Sequence, residues 1–106
     1  MGSIKEMSNY RSLQKDVLDW ARDKDLLKID NHKSQTLKMV SEVGELCDAI
    51  AKNDNEEIID AIGDTLVTLI ILANQLGLDE VECLESAYGV IRNRKGKTVN
   101  GTFIKH

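Results

Sequence analysis

The chain contains no proline, and aromatic residues make up only 4% of its 106 positions. Because proline breaks helix interiors, its absence favours packed helices, as do the 42% hydrophobic and 30% charged residues. Long apolar runs are also missing, since the longest, residues 66–73, is far too short to cross a bilayer. The net charge of −4 argues against a general affinity for DNA, RNA or anionic membranes.

Cysteine is scarce and is not spaced for metal binding. Cys47 and Cys83 lie at apolar helical positions, without a CxxC motif. We therefore expect buried, reduced thiols and a cytoplasmic location. The first six residues lack the charged and then apolar design of a signal peptide, which agrees with that expectation.

Length and apolar spacing indicate one domain, residues 1–106, of the all-α class. Four helices are predicted, over residues 4–25, from a cap at Asp30 or Asn31 to Lys52, over residues 55–76, and from Asp79 to about Arg94. The third helix is apolar nearly all round between residues 66 and 73, so we expect it to be the central helix.

The C-terminal tail has a different pattern from the helices. Asn100-Gly101 separates two short β-prone runs, which predicts a β-hairpin. A lone hairpin is only marginally stable, so this one should pack on the helices or on another subunit. The many apolar helical positions likewise predict burial between subunits, in a homodimer or a dimer of dimers.

Two acids on the second helix are spaced to act together. Glu42 and Glu45 lie about 60° apart around the helix axis and can converge on one point. An apolar stripe through Val40, Val43 and Cys47 lies on the other side of this helix. Taken alone, the ExxE spacing is more typical of a solvated amphipathic face than of a binding site.

The third helix carries a second group of acids. Asp60 and Asp64 are one turn apart, and Glu57 lies on nearly the same line one turn earlier. A polar strip near the helix N-terminus would explain Glu57 and part of Asp60. It explains Asp64 poorly, because Asp64 lies inside the helix and just before the apolar run.

If both acidic faces meet, four carboxylates share one cleft. Two like charges ~5 Å apart repel by roughly 3 kcal/mol at an effective dielectric constant near 20. Such a cluster requires a cation or protonation of some members. Oxygen-only ligation favours Mg²⁺ or Mn²⁺ over Zn²⁺. His32 and His106 have no ligand-like neighbours in the sequence, and we expect both at the surface.

The acidic motifs resemble those of a known family. Ser41-Glu42-Val43-Gly44-Glu45-Leu46, followed on the next helix by Ile62-Gly63-Asp64, resembles the MazG-like all-α nucleoside triphosphate pyrophosphohydrolases, whose pattern is ExxE and then ExxD. The resemblance runs from the Trp20 region to the Asn-Gly tail, which is similar to that of small stand-alone bacterial and phage members. It implies a four-helix MazG-like bundle with a short hairpin-like tail.

The resemblance also implies an activity. Family members hydrolyse a (d)NTP to (d)NMP and pyrophosphate with Mg²⁺, a reaction suited to nucleotide-pool housecleaning. Glu42, Glu45 and Asp64 would be metal ligands, and Glu42 or Glu45 would accept a proton from the attacking water. The pattern calls for a fourth acid at position 61, where this chain has Ala61. Asp60 is the best substitute and Glu57 is the next.

Substrate binding requires further residues. The candidates for phosphate contacts are Lys38, one turn before Glu42, and the basic cluster of Arg92, Arg94, Lys95 and Lys97, which the resemblance suggests can act from a neighbouring subunit. Trp20, the only tryptophan, is a candidate for stacking on the base. Each has a structural alternative: an intrahelical ion pair for Lys38, helix C-terminal cations for the cluster, and a core or interface position for Trp20.

A second class of function stays open. Because position 61 lacks an acid, the chain is also compatible with a non-catalytic helical module that binds nucleotide or a protein partner. Within the enzyme class, the motifs do not distinguish broad (d)NTP hydrolysis from specificity for dUTP or phosphoribosyl-ATP.

Overall fold

In the computed structural model, which describes residues 9–106, the chain forms four α-helices and one β-hairpin. The helices are α1 (Tyr10–Asp23), α2 (His32–Ala51), α3 (Asn55–Gln75) and α4 (Glu80–Ile91), and a 3₁₀ turn (Ile29–Asn31) precedes α2. The antiparallel strands are β1 (Gly96–Val99) and β2 (Thr102–Lys105). The predicted all-α fold with a hairpin tail is confirmed.

Three of the four helices begin at a side-chain cap. Asn9, Asp54 and Asp79 each accept a hydrogen bond from a backbone N–H in the first turn, which satisfies a donor that the helix leaves free. Asn9 has an extended backbone, so α1 begins at Tyr10. The start predicted at residue 4 lies outside the described residues.

The N-terminus of α2 lacks the side-chain cap that the sequence predicted. Neither Asp30 nor Asn31 makes a side-chain cap bond to α2, so the predicted cap is wrong although the helix starts where it was expected. The 3₁₀ turn leads directly into the helix instead. There the Nδ1 atom of His32 lies 2.7 Å from the Ile29 carbonyl oxygen.

Gly77 follows α3, close to the end that the sequence predicted for the third helix. Its φ of +73° lies in the left-handed region that favours glycine. The Gly77 N–H donates to the Asn74 carbonyl at 3.0 Å, and the Leu78 N–H donates to the Ala73 carbonyl at 2.8 Å. These two bonds form a Schellman motif. After this turn, the axis of α4 is bent by 102° from that of α3.

The core of the chain lies around α3, which contacts all three other helices. Its buried apolar residues are mostly small, namely Ala21, Ala49, Ala61, Ile70, Ile71 and Ala73. The alanines allow α2 and α3 to pack closely as an antiparallel pair, joined by a short loop. The prediction of a central third helix is therefore confirmed.

The outward side of α2 is apolar. Val40, Val43 and Ile50 are exposed, with 58% of Val40 accessible, whereas Glu42 on the inward side is buried. An amphipathic helix in a monomer normally shows the reverse arrangement. Cys47 belongs to the exposed stripe, and Cys83 on α4 is exposed as well, so the prediction of buried thiols is wrong. The chain has no element that covers this stripe within residues 9–106.

We call residues 80–106, which comprise α4 and the hairpin, the arm. Every residue from 82 to 106 is exposed, and the hairpin packs against none of the described helices. Leu84 is 64% accessible and Tyr88 is 58% accessible. The expected packing of the hairpin on its own bundle therefore does not occur, which leaves a second subunit as the alternative.

Polar contacts fix the direction of the arm at its base. Arg11 Nη1 lies 2.6 Å from Asp79 Oδ2, and Gln14 Nε2 donates to Asp79 Oδ1 at 2.9 Å and to Glu80 Oε1 at 2.8 Å. Because Gln14 is buried and makes several bonds, this contact holds the start of α4 against α1. The arm therefore leaves the helices in a defined direction.

The hairpin is well formed although it is isolated. Asn100 and Gly101 both have positive φ, as a type I′ turn requires. Thr98 faces Phe103 across the strands, and a Cβ atom at Gly96 would collide with the Phe103 ring. Only glycine therefore fits where the hairpin begins.

The accessible surface of the chain is larger than that of a compact monomer. The accessible area is 8167 Å², whereas a compact monomer of this mass exposes roughly 5,900 Å². The radius of gyration is 16.5 Å, compared with about 13 Å for a compact chain of this length. No single helix among residues 9–106 is long and apolar enough to cross a membrane.

Candidate active site

The acidic faces of α2 and α3 meet, which is the condition on which the expected metal site depends. They enclose a cleft of about 320 Å³. Its lining residues are Glu42, Glu45, Asp48 and Lys52 from α2 and its C-terminus, and Glu57, Asp60, Ala61 and Asp64 from α3. The pair of helices thus presents an acidic side and, on α2, a separate exposed apolar stripe.

Glu42 is the most buried carboxylate of the cleft. It is 5% accessible, and Lys38 Nζ lies 3.0 Å from its Oε1 atom. A buried carboxylate requires such a partner, because loss of hydration otherwise costs several kcal/mol. The bond to Glu42 raises the pKa of the Lys38 ammonium, so Lys38 remains charged. The intrahelical ion pair proposed as one role of Lys38 is therefore present.

Glu45 and Asp64 carry negative charge that Lys38 does not fully compensate. The nearby Glu42 carboxylate raises the pKa of Glu45, and partial desolvation adds to this effect. Desolvation raises the pKa of Asp64, and the charges of Asp60 and Glu42 raise it further. The electrostatic strain expected of converging carboxylates is thus present at these two residues.

The fourth acid of the family pattern has no direct equivalent. Ala61 is buried at the cleft and offers no ligand atom. Asp60 and Glu57, the two substitutes considered from the sequence, both line the cleft. Asp60 is the one whose charge acts on Asp64, which favours it as the nearer substitute.

Two residues of the cleft were missed by the sequence analysis. Asp48 and Lys52 continue the line of Glu45 at spacings of three and then four residues. Residues at these spacings lie on one side of a helix. The periodicity that selected Glu42 and Glu45 could therefore have found them.

Trp20 lies outside the core. It is 51% accessible and lines an open groove between α1 and α3 with Asp16, Val17 and Val67. Val67 is three residues after Asp64 on α3, a rise of about 4.5 Å. The groove shares no lining residue with the acidic cleft, but it begins within one turn of Asp64 and offers an apolar surface to a flat ring.

The basic cluster lies far from the cleft of its own chain. Arg92, Arg94 and Lys95 follow the end of α4, and none of them lines the cleft. From Asp64 to the end of α3 is roughly 18 Å and α4 adds a similar length. With the bend of 102° between the helices, the separation is on the order of 20 Å. Arginine and lysine side chains do not span this distance.

The donor set of the cleft suits a hard divalent cation. Among residues 9–106, no three aspartate, glutamate, histidine or cysteine side chains already stand around one point at ligand spacing. The available donors are nevertheless all carboxylate oxygens, which Mg²⁺ and Mn²⁺ prefer. The charge of Glu42 raises the pKa of Glu45, whereas desolvation, followed by the charges of Asp60 and Glu42, raises the pKa of Asp64. A bound cation would favour the ionised form of both groups.

Comparison with known proteins agrees with the geometry of the cleft. The MazG nucleotide pyrophosphohydrolase domain matches residues 30–95, which contain every acid of the cleft. The chain belongs to this family. Membership points in general to nucleoside triphosphate pyrophosphohydrolase activity, and the resemblance seen in the acidic motifs is confirmed.

A phage protein is also similar to this MazG-family chain. The "Uncharacterized 18.2 kDa protein in rep-hol intergenic region" of Haemophilus phage HP1 (strain HP1c1) is 39% identical over 75 residues. The match covers 71% of this chain and 46% of the phage protein, so the chain corresponds to about half of that relative. No solved structure gives a significant match.

Proposed function

We propose that this chain hydrolyses a (d)NTP to (d)NMP and pyrophosphate in the presence of Mg²⁺ or Mn²⁺, as a cytoplasmic housecleaning enzyme. One observation supports this most strongly. Within the segment that matches the family, six carboxylates from two helices line one cleft, and two of them have raised pKa values. A cleft of this charge favours a divalent cation and, with it, a phosphate substrate.

Glu42, Glu45 and Asp64 would hold the metal, with Asp60 as the fourth acid. A bound Mg²⁺ or Mn²⁺ supplies positive charge for the phosphates and lowers the pKa of a coordinated water. Lys38 holds Glu42 in position through the 3.0 Å contact. Glu42 is therefore oriented before substrate enters.

Glu45 is the better of the two candidates for the general base. It is exposed to the cleft, whereas Glu42 is buried and paired with Lys38, so a Glu45 oxygen that does not hold the metal is free to accept the proton of the attacking water. The water oxygen forms a bond to the α-phosphorus while the bond from that phosphorus to the bridging oxygen breaks. The water proton passes to Glu45, and pyrophosphate leaves with the bonding electron pair.

Trp20 is proposed to contact the base. Its groove begins one turn beyond Asp64, so a nucleotide with its phosphates in the cleft could place its base against the indole ring. Stacking on an aromatic ring tolerates every base. This contact alone therefore does not select one (d)NTP.

We propose that the partner is a second copy of this chain, in a homodimer or a dimer of dimers. The excess accessible area is on the order of 2,000 Å², similar to the area that obligate interfaces bury per subunit. The exposed stripe of α2 and the arm contribute to this excess. The basic cluster does not reach the cleft of its own chain. If the arm packs on a second copy, it would bring Arg92, Arg94 and Lys95 toward the acids of that copy.

The direct test is a substrate screen. The protein is incubated with each of the common NTPs and dNTPs and with Mg²⁺, and released pyrophosphate and monophosphate are measured. We expect equal amounts of both products, loss of turnover with EDTA, and recovery with Mg²⁺ or Mn²⁺. Release of inorganic phosphate without pyrophosphate would contradict the proposed bond cleavage.

The absence of an acid at position 61 favours one alternative, a module that binds nucleotide without cleaving it. The same screen distinguishes it, because Mg²⁺-dependent nucleotide binding without product would then be observed. Restoring the acid by Ala61→Glu should increase turnover if the site is an incomplete enzyme site. An inactive Ala61→Glu variant that still binds nucleotide would support the module.

A further inference from the structure

Among the described residues that line the acidic cleft, Lys52 is the one with a positively charged side chain. It is the C-cap residue of α2, and its backbone N–H donates to the Asp48 carbonyl oxygen at 3.0 Å. Asp48 and Glu57 line the same cleft, yet Lys52 takes part in none of the ion pairs between residues 9 and 106. Its ammonium group is therefore available to a ligand.

Lys38, the other lysine near the acids, is already engaged. Its Nζ atom is 3.0 Å from the buried Glu42 carboxylate, and it does not line the cleft. Removing Lys38 from this pair would leave the charge of Glu42 uncompensated, which is costly for a buried carboxylate. The two lysines thus have different positions and different partners.

The position of Lys52 along the cleft indicates which part of a substrate it meets. It follows Glu45 by seven residues, or roughly 10 Å along the helix axis, and lies next to the α2–α3 loop. Glu42, Glu45 and Asp64 lie further from this loop. A phosphate chain whose α-phosphorus is near Glu45 therefore finds a free cation in the direction of Lys52.

We propose that Lys52 binds the pyrophosphate part of the substrate, the β- and γ-phosphates, and stabilises it as the leaving group. This inference rests on the proposed function. When the bond between the α-phosphorus and the bridging oxygen breaks, negative charge develops on that oxygen and is shared by the departing pyrophosphate. A lysine ammonium in place before the reaction stabilises this charge as it forms.

The test compares Lys52→Ala with Lys33→Ala, a matched control because Lys33 is an exposed lysine of α2 outside the cleft. Binding of inorganic pyrophosphate with Mg²⁺ is measured by calorimetry, and inhibition of turnover by pyrophosphate and by NMP is measured separately. Loss of one charge-assisted contact should weaken pyrophosphate binding roughly tenfold or more. KM for the (d)NTP should rise, whereas inhibition by NMP should remain unchanged. Lys52→Arg, which keeps the charge, should retain part of the affinity.

Failure of this inference can be distinguished from failure of the proposed function. If the wild-type chain releases pyrophosphate, and Lys52→Ala binds and is inhibited by pyrophosphate like Lys33→Ala, the inference is wrong and the function stands. Equal weakening of pyrophosphate and NMP inhibition would also overturn it, because Lys52 would then not be selective for the leaving group. If the wild type neither releases nor binds pyrophosphate, the proposed function itself fails.

Discussion

The body of the molecule, residues 10–75, and the arm, residues 80–106, differ in how they are stabilised. Among residues 9–106, all buried residues lie in the body, where α3 packs against its neighbours, and the arm has none. The arm is nevertheless rich in apolar side chains, including Leu84, Tyr88 and Phe103. The body thus obtains its packing from its own chain, whereas the arm leaves its apolar side chains exposed.

The charges are divided in the same way. The body holds the acidic cleft, and the arm holds the basic cluster that follows α4. The geometry keeps these groups on the order of 20 Å apart within one chain. In this interpretation, the body alone binds the cation and a second copy completes the environment of the phosphates.

The largest expected effect is on the chemistry of the body. Glu45→Gln keeps the size of the side chain but removes the negative charge with which the carboxylate would accept a proton and bind the metal. We expect pyrophosphate release to fall by at least about a hundredfold, a common loss for a general base. Steady-state turnover with the best (d)NTP measures this, and circular dichroism checks that the helical content is unchanged.

Glu85→Gln is the matched control, because Glu85 is an exposed glutamate of α4 outside the cleft. It should turn over substrate at the wild-type rate. Activity of Glu45→Gln within a few-fold of that control would show that Glu45 is not the base.

The second effect concerns assembly through the arm. Leu84 and Tyr88 form an exposed apolar stripe on α4. Leu84→Asp places a charge on this stripe, so its burial against a second copy becomes unfavourable by about a few kcal/mol. We expect the dissociation constant of the assembly to rise at least about tenfold over that of wild type. Light scattering over a range of concentrations measures it. Ser86→Asp puts the same charge on the opposite side of α4 and should leave assembly intact. Equal assembly of both variants would exclude this stripe from the interface.

A third experiment tests whether arm and body act in different copies. We expect Glu45→Gln to inactivate the body and Arg94→Ala to weaken the arm. If the arm serves the second copy, mixed dimers contain one site with both an intact body and an intact arm. Mixing the two variants should therefore restore roughly a quarter of the wild-type rate. A rate equal to the average of the two separate variants would show that arm and body act within one chain.

The sequence predicted the body well. The spacing of Glu42 and Glu45 on α2 and of Asp60 and Asp64 on α3 predicted an acidic face on each helix. The resemblance to the MazG-like family then indicated that acids of both faces act together. Gly77 and the caps Asp54 and Asp79 also set their helix ends through local chemistry, which sequence reasoning captures.

The parts that the sequence did not predict depend on tertiary contacts. The Arg11–Asp79 contact joins residues far apart in the chain and sets the direction of the arm. The burial of Glu42 beside an exposed Val40 reverses ordinary amphipathic patterning, because Glu42 faces α3 and Val40 does not. Cys47 follows Val40 on that side, so an apolar position was not a buried one. For Val40 and Cys47, the apolar spacing predicted the face of the helix but not whether another element covers that face.

The smallest expected effect is on the stability of the metal-free body. Since desolvation and the charges of Asp60 and Glu42 raise the pKa of Asp64, ionised Asp64 disfavours the folded state. This cost is absent below the ordinary carboxyl pKa and develops as the pH rises through the raised one. Asp64→Asn should therefore raise Tm in EDTA at neutral pH. The increase should be only about 1–2 °C, because Asp64 is exposed and solvent screens its charge.

Changes in pH and addition of Mg²⁺ should change this small Tm difference between Asp64→Asn and wild type in opposite, predictable ways. Acidification should remove the difference between Asp64→Asn and wild type in EDTA, because protonated Asp64 no longer repels its neighbours. Millimolar Mg²⁺ should reverse the difference, since the ion stabilises only the form that binds it and wild type has one more ligand. Glu85→Gln in the arm should show neither change. If wild type and Asp64→Asn gained the same Tm from Mg²⁺, Asp64 would not be a ligand, whatever its role in the cleft.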